Sequence, residues 1–234
     1  SGASPTMESS YVFKYYGGPG PNEGTRIVMA LGGLKWRPTA WNNGAPPGPG
    51  DAMKAEGSWG GPTATVTPGP GQWAESRWNI RTSAKREAED NGELSSNLGR
   101  CPVLVVDGVH EIGQNKAIER FLARRLGLYG ANDIEAARID CALEHLIDAK
   151  ADPSLLLELE GYAEGKGCLV GSSLSIADAL LFVAAKGSTW PHGAPNWAAA
   201  AVSRCPKLSA CVAAVEAHPG MVAYLAARKE EWGW

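Results

Sequence analysis

Three groups of residues in this chain have types and spacing suited to chemistry. The first is Tyr15, near the end of the β-prone run Tyr11 to Tyr16, just ahead of Gly17-Gly18. The second is Cys101-Pro102, which opens the apolar run Val103-Leu104-Val105-Val106. The third is Gln114-Asn115, at the head of a helical pattern. A proline is tolerated as the first residue of a strand. In its cis form it turns the preceding backbone outward, where N–H and C=O can pair with a peptide-like ligand in the manner of an added strand. Polar side chains and backbone N–H groups at a helix start suit a carboxylate. Together these groups describe one end of a small domain that holds an extended, acidic peptide, with a phenol hydroxyl at the far end.

Other chemistries lack their residues. His110, His145, His192 and His218 form no H-x-x-x-H, and Cys101, Cys141, Cys168, Cys205 and Cys211 contain no C-x-x-C, so no metal site is expected. Gly17-Gly18-Pro19-Gly20 follows a strand, but Glu23 stands where a dinucleotide fingerprint needs its third glycine. Gly161 to Lys166 is one residue short of a phosphate loop, and Gly167 stands where Ser or Thr would hold magnesium. No G-x-S-x-G elbow supports a serine hydrolase.

The elements that must position these groups follow from periodicity. Tyr11 to Tyr16 reads as a strand, and Ile27, Val28, Leu31 and Leu34 form a helical stripe after Glu23. Val103 to Val106 reads as a strand stopped by Asp107-Gly108, with Val109 to Ile112 as its hairpin partner. From Asn115 onward the pattern is helical. Ala117, Ile118, Phe121, Leu122 and Leu126 make one face, ended by Gly127 and Gly130. Ile139, Ala142, Leu143, Leu146 and Ile147 make the face of the next helix. Ile176 to Ala185 is apolar nearly all round, as a buried helix must be. Ser175 and Asp178 open it as a capping box, whose loss by Asp178→Ala is expected to cost roughly 1–2 kcal/mol. Cys205-Pro206 and His218-Pro219-Gly220 delimit the last two helices. This order predicts a small α/β domain followed by an all-helical one.

Gly and Pro fill 14 of the 29 positions from Asn43 to Gly71, a density that rules out a helix or a central strand there. With the polar run Ser83 to Asn97, this reads as a long surface insertion. Trp36, Trp41, Trp59, Trp73 and Trp78 crowd the same region, so it is expected to pack on its own domain or on another protein.

Composition bounds the partners. The chain has 234 residues, 44% of them hydrophobic, enough for a core. A net charge of -3 argues against nucleic acid. No apolar run approaches the roughly 18 residues of a membrane span. The odd number of scattered cysteines points to a reducing compartment, hence a cytoplasmic protein or one in a plastid or mitochondrion after loss of a transit peptide. Residues 1–10 read as a tag remnant or a processed leader stub.

In this order the motifs resemble a soluble glutathione transferase of the sigma-like type. The resemblance rests on Tyr15-Tyr16 with Glu23-Gly24-Thr25-Arg26, Gly99 to Gly108, Gln114 to Ala123, Leu126 to Gly130, the Asp140 helix, Gly171 to Asp178, and Cys205-Pro206-Lys207-Leu208 with His218-Pro219. It implies a thioredoxin-like glutathione-binding domain over residues 11–128, with an insertion at about 38–98, and an all-helical C-terminal domain over 129–234. It implies a homodimer, glutathione as co-substrate without a metal, and a small electrophile as the second substrate, conjugated or isomerised as in detoxification. Tyr15 matches the tyrosine that hydrogen-bonds the glutathione sulfur, and the backbone of Cys101, in Arg100-Cys101-Pro102, matches the segment that pairs with the cysteinyl unit. Gln114 and Asn115 match the γ-glutamyl contacts. Asp140 matches the acid that reaches the neighbouring subunit's glutathione amine, and Trp73 with Arg77 matches the pair at the glycyl carboxylate.

The chain departs from the family where loop arginines support the thiolate, because Pro19 and Pro21 stand there. Cys101 replaces an aliphatic residue. Two further readings follow: a non-catalytic structural or assembly subunit that docks through residues 38–98, and a glutathione-dependent disulfide reductase using Cys101.

Overall fold

The computed structural model describes residues 9–16, 22–36, 68–78, 89–187 and 196–232. Five strands form one sheet: β1 (Tyr11–Tyr16), β2 (Lys35–Trp36), β3 (Gln72–Trp78), β4 (Val103–Val106) and β5 (His110–Gly113), in the order β2-β3-β1-β4-β5. β3 runs parallel to β1 and to β2, whereas β4 is antiparallel to β1 and to β5. Among the described residues there are eight α-helices: α1 (Glu23–Leu31), α2 (Asn115–Arg125), α3 (Asp133–Ala151), α4 (Leu155–Tyr162), α5 (Ile176–Lys186), α6 (Ala199–Val202), α7 (Pro206–Ala217) and α8 (Pro219–Trp232). This is the expected combination of a thioredoxin-like sheet domain and a helical domain.

The strand alternation sets two packed faces on the sheet. Tyr11 and Phe13 of β1 are fully buried on one face, with Leu104 of β4. On the other face Leu94, Val103 and Val105 form a cluster against which Val12 and Cys101 pack. Asp107 and Gly108 both take positive φ, 54° and 70°, as the mirror-image turn of a tight hairpin requires. The Asp107 carboxylate also accepts from Ser10 N–H at 2.8 Å and Ser9 Oγ at 3.1 Å, tying the hairpin to the start of β1.

The region read as an insertion holds part of the sheet. β3 lies within residues 38–98 and pairs with β1 along its whole length, so Gln72–Trp78 is a central strand and not an excursion. Leu94, also inside that range, is 0% exposed in the core. Residues 37–67 lie outside the described residues, as do Trp41 and Trp59.

Packing divides the chain into two units that cross the expected boundary at 128/129. One comprises residues 1–18, 33–118 and 223–234; the other comprises 19–32 and 119–222. Helix α1 thus belongs with the helical unit, where Gly24 approaches Leu180 and Glu119 too closely to admit a Cβ. In the sheet unit Tyr224 meets the Trp73 indole at 6.3 Å.

Within the helical unit, α5 is the buried helix that its apolar sequence requires. Its capping box is formed, with Ser175 N–H donating to Asp178 Oδ2 at 2.8 Å. Asp178 does more than cap: its Oδ1 accepts from the Leu169 amide at 2.8 Å, pinning the preceding loop to the helix start. Burial raises the Asp178 carboxyl above its ordinary range, against the pull of the Leu169 and Ser175 hydrogen bonds. A second tertiary cap had no sequence signal. Glu160 of α4 accepts from Lys207 and Leu208 N–H at 3.0 Å each, at the N-terminus of α7.

Candidate functional site

Sheet registers bring most of the singled-out residues to one end of the sheet unit. Lys14 is opposite Val103, so Tyr15 and Cys101-Pro102 occupy the same end of the β1–β4 pair. Val103 is opposite Gly113, so Gln114 and Asn115 leave β5 at that end too. On the other side of β1, Tyr15 is opposite Arg77 of β3; the Arg77 side chain lies outside the described residues.

Tyr15 is packed with its ring stacked on Phe13, centroids 5.8 Å apart. It retains 7% exposure, where Tyr11 and Phe13 have none. The Cys101-Pro102 peptide bond is cis. Cys101 is half-buried against the Leu94, Val103 and Val105 cluster, so its side chain serves as a small hydrophobe. Arg100 is exposed, and its amide donates to the Asn97 carbonyl at 2.9 Å. Gln114 is exposed and has φ of 68°, a left-handed conformation unusual for a residue with a Cβ. Its carbonyl accepts from Ile118 N–H at 2.9 Å and starts α2.

Trp73 requires a correction. It stands opposite Tyr11, at the other end of β1 from Tyr15. Four residues of strand separate the two positions by about 13 Å. Trp73 is also 0% exposed, so its indole is core and does not reach a glycyl carboxylate at the Tyr15 end.

One positioning residue escaped sequence reasoning. Asn97 ends the short 3-10 turn Ser95–Asn97 and is 4% exposed. Its Nδ2 donates to the Pro102 carbonyl at 2.9 Å. A Cβ on Gly113 would lie 2.5 Å from Asn97 Cβ, so only glycine fits opposite it. Asn97 therefore fixes the start of β4 and the end of β5, the segments that precede and follow the cis-proline hairpin. Its signal in the sequence was faint, a polar residue within the expected insertion.

Comparison with known proteins places this geometry. Residues 145–228 match the family model "Glutathione S-transferase, C-terminal domain". Over 155 residues, 54% of this chain and 73% of the relative, the sequence is 24% identical to S-crystallin SL11 of Nototodarus sloanii. Over 69 residues, 29% of this chain and 33% of the relative, it is 43% identical to probable glutathione S-transferase 6 of Caenorhabditis elegans. The nu-class glutathione transferase structure from Haemonchus contortus superposes with a TM-score of 0.63 at 19% identity, covering 94% of this chain and 97% of that one. Residues 145–228 thus match a glutathione transferase C-terminal domain, and the chain has the glutathione transferase fold.

The remaining family position, Asp140, lies in the helical unit on α3. Its carboxylate accepts from Arg120 Nε at 3.0 Å and from the Tyr129 hydroxyl. Arg120 also donates to Glu144 at 2.8 Å. Burial opposes the charge on Asp140, but the Tyr129 hydroxyl and Arg120 guanidinium outweigh it and hold the carboxyl below its ordinary range. Among the described residues, no three His, Cys, Asp or Glu side chains converge on a metal position, and no single helix is long and apolar enough to cross a membrane.

Proposed function

We propose that this chain is a glutathione-dependent transferase in which Tyr15 stabilises the glutathione thiolate for attack on a small electrophile. The observation that carries this reading is the shared sheet end of Tyr15, Cys101-Pro102 and Gln114-Asn115. The left-handed backbone of Gln114 adds to it, since unfavourable φ in a residue with a Cβ clusters at ligand clamps. In this reading the Cys101 backbone pairs with the cysteinyl unit, and Gln114, Asn115 and the α2 N-terminus hold the γ-glutamyl carboxylate. Arg100 supplies positive charge at the same sheet end, and in a homodimer Asp140 answers the glutathione amine of the neighbouring subunit. The setting is cytoplasmic.

The energetics suit a single phenol. A free thiol has a pKa near ~8.5 and is mostly protonated at neutral pH. A hydroxyl donating to the sulfur favours the anion. Lowering that pKa by about 2 units needs roughly 2.7 kcal/mol. One hydrogen bond to a charged acceptor supplies about 1.5–3 kcal/mol, so Tyr15 suffices without loop arginines. The sulfur lone pair then forms the new S–C bond, and the electrophile's leaving group departs with the bonding pair.

Retention on immobilised glutathione and turnover of a generic aryl halide test the reading. Tyr15→Phe is expected to lower kcat/KM by about 10- to 100-fold with the melting temperature preserved. Full activity in that variant, or no heat on titrating glutathione into the native chain, refutes it.

A further inference from the structure

The two carboxylate oxygens of Asp140 have different fates. Oδ1 accepts from Arg120 Nε at 3.0 Å and from the Tyr129 hydroxyl. Among the described residues no donor reaches Oδ2, and the side chain is 41% exposed. Oδ1 is committed within the chain, whereas Oδ2 keeps its lone pairs for a donor from outside. An ionised carboxylate only accepts, and a cationic ammonium makes the strongest bond of that kind.

Both donors are themselves held. Tyr129 is 6% exposed and stands in the turn between α2 and α3. Its neighbour Leu128 is tied on two sides: the amide donates to the Ala123 carbonyl at 2.7 Å, and the carbonyl accepts from Ile176 N–H at 3.0 Å. Gly130 follows at a φ of 84°, and a Cβ there would lie 2.7 Å from Glu135 Cβ, so the turn lies flush on α3. The Arg124 guanidinium covers the Tyr129 ring, 4.5 Å from its centroid. Arg120 is anchored by a second carboxylate, donating through Nη2 to Glu144 at 2.8 Å, one helical turn beyond Asp140. A carboxylate gripped through one oxygen by donors from two elements cannot turn that oxygen outward without breaking both bonds.

We propose that Tyr129 and Arg120 are positioning residues that keep Asp140 Oδ2 outward, to accept the α-ammonium of glutathione bound to the neighbouring subunit. The inference rests on the transferase reading above and adds to it the source of selectivity for the free amine. Neither residue touches the ligand; each acts through Asp140. The chain then prefers a tripeptide whose γ-glutamyl unit carries its ammonium over one that lacks it, and the preference depends on the Tyr129 hydroxyl.

Calorimetry on the whole chain compares glutathione with glutaryl-cysteinyl-glycine, the same tripeptide with hydrogen in place of the ammonium. The native chain is expected to bind the analogue about tenfold more weakly. Tyr129→Phe keeps the ring under Arg124 and removes only the hydroxyl. It is expected to weaken glutathione about threefold and leave the analogue unchanged, so the ratio falls to about threefold. Arg120→Lys keeps the charge but loses the planar fork, and is expected to lower the ratio in the same way. Asp140→Asn brings the ratio to about one, and adding Tyr129→Phe to it changes nothing further, as for residues that act through one another. A merely structural role for Tyr129 weakens both tripeptides alike. That result, an unchanged ratio in Tyr129→Phe, or equal binding of the two tripeptides by the native chain overturns the positioning role while glutathione binding stands. No heat from either tripeptide in the native chain overturns the transferase reading and this inference with it.

Discussion

Asp178→Ala is the most demanding test of how the helical unit is held. The carboxylate is 0% exposed and accepts from Leu169 N–H, Ser175 N–H and Ser175 Oγ, each at 2.8 Å. Alanine leaves the Leu169 and Ser175 amides buried without acceptors, at about 1–3 kcal/mol apiece. Part of this is returned, because a desolvated carboxyl is no longer buried. The balance is a loss of about 3–5 kcal/mol, larger than the cap penalty expected from sequence, because Leu169 is a donor no capping box includes. For a chain of this length that lowers the melting midpoint by about 10 °C. Ser175→Ala removes the Oγ contacts and keeps Asp178 on both amides, so it should cost only about 1 kcal/mol. Calorimetry or urea titration on both variants measures the difference. Equal losses in the two variants, or a loss below 1 kcal/mol in Asp178→Ala, would refute the cross-loop role of Leu169.

Other perturbations probe the remaining contacts. Asn97→Ala should destabilise the sheet unit by about 1–2 kcal/mol and weaken glutathione binding in calorimetry, because the Pro102 carbonyl loses its brace; unchanged affinity would leave Asn97 purely structural. Asp140 has a folded-state pKa below its unfolded value of about 3.9. Its contribution is therefore fully present above that value and is lost as pH falls through the folded value. With the side chain 41% exposed, screening limits the effect to less than about 1 kcal/mol. Asp140→Asn should flatten the acid limb by lowering stability at neutral pH by that amount and leaving the acid end unchanged, as urea midpoints across pH 2–7 would record. Glu160→Ala should cost about 1–2 kcal/mol by uncapping α7, read as a lower thermal midpoint.

What the sequence revealed depended on how local the signal was. β1, the Asp107-Gly108 hairpin and the Ser175–Asp178 box were all legible, because each is written within a few consecutive residues. β3 was not: Gln72-Trp73-Ala74-Glu75-Ser76-Arg77-Trp78 has no β-branched residue and directly follows a Gly/Pro-rich stretch. Its strand character comes from pairing with β1, and Glu75 is 3% exposed despite its charge. The same blind spot made Trp73 look like a ligand contact. On α3 the apolar face was read through Ile147, which is 47% exposed; Ala149 is buried instead, since a small residue two positions on follows the helix rotation better. At the site, Tyr15, Cys101-Pro102 and Gln114-Asn115 could be named from resemblance, but their common sheet end required the register.

The way β2 hands over to β3 has a consequence for how this protein can change. Lys35 pairs with Gln72 and Trp36 with Trp73, so the chain leaves the sheet's outermost strand and rejoins it at the neighbouring one in fixed register. Whatever lies between is tethered at both ends by the same ladder. Doubling or halving such a connection alters closure entropy by only about 0.6 kcal/mol. The register of β2 on β3 therefore fixes where the chain must return to the sheet, whatever the length of the connection between the two strands.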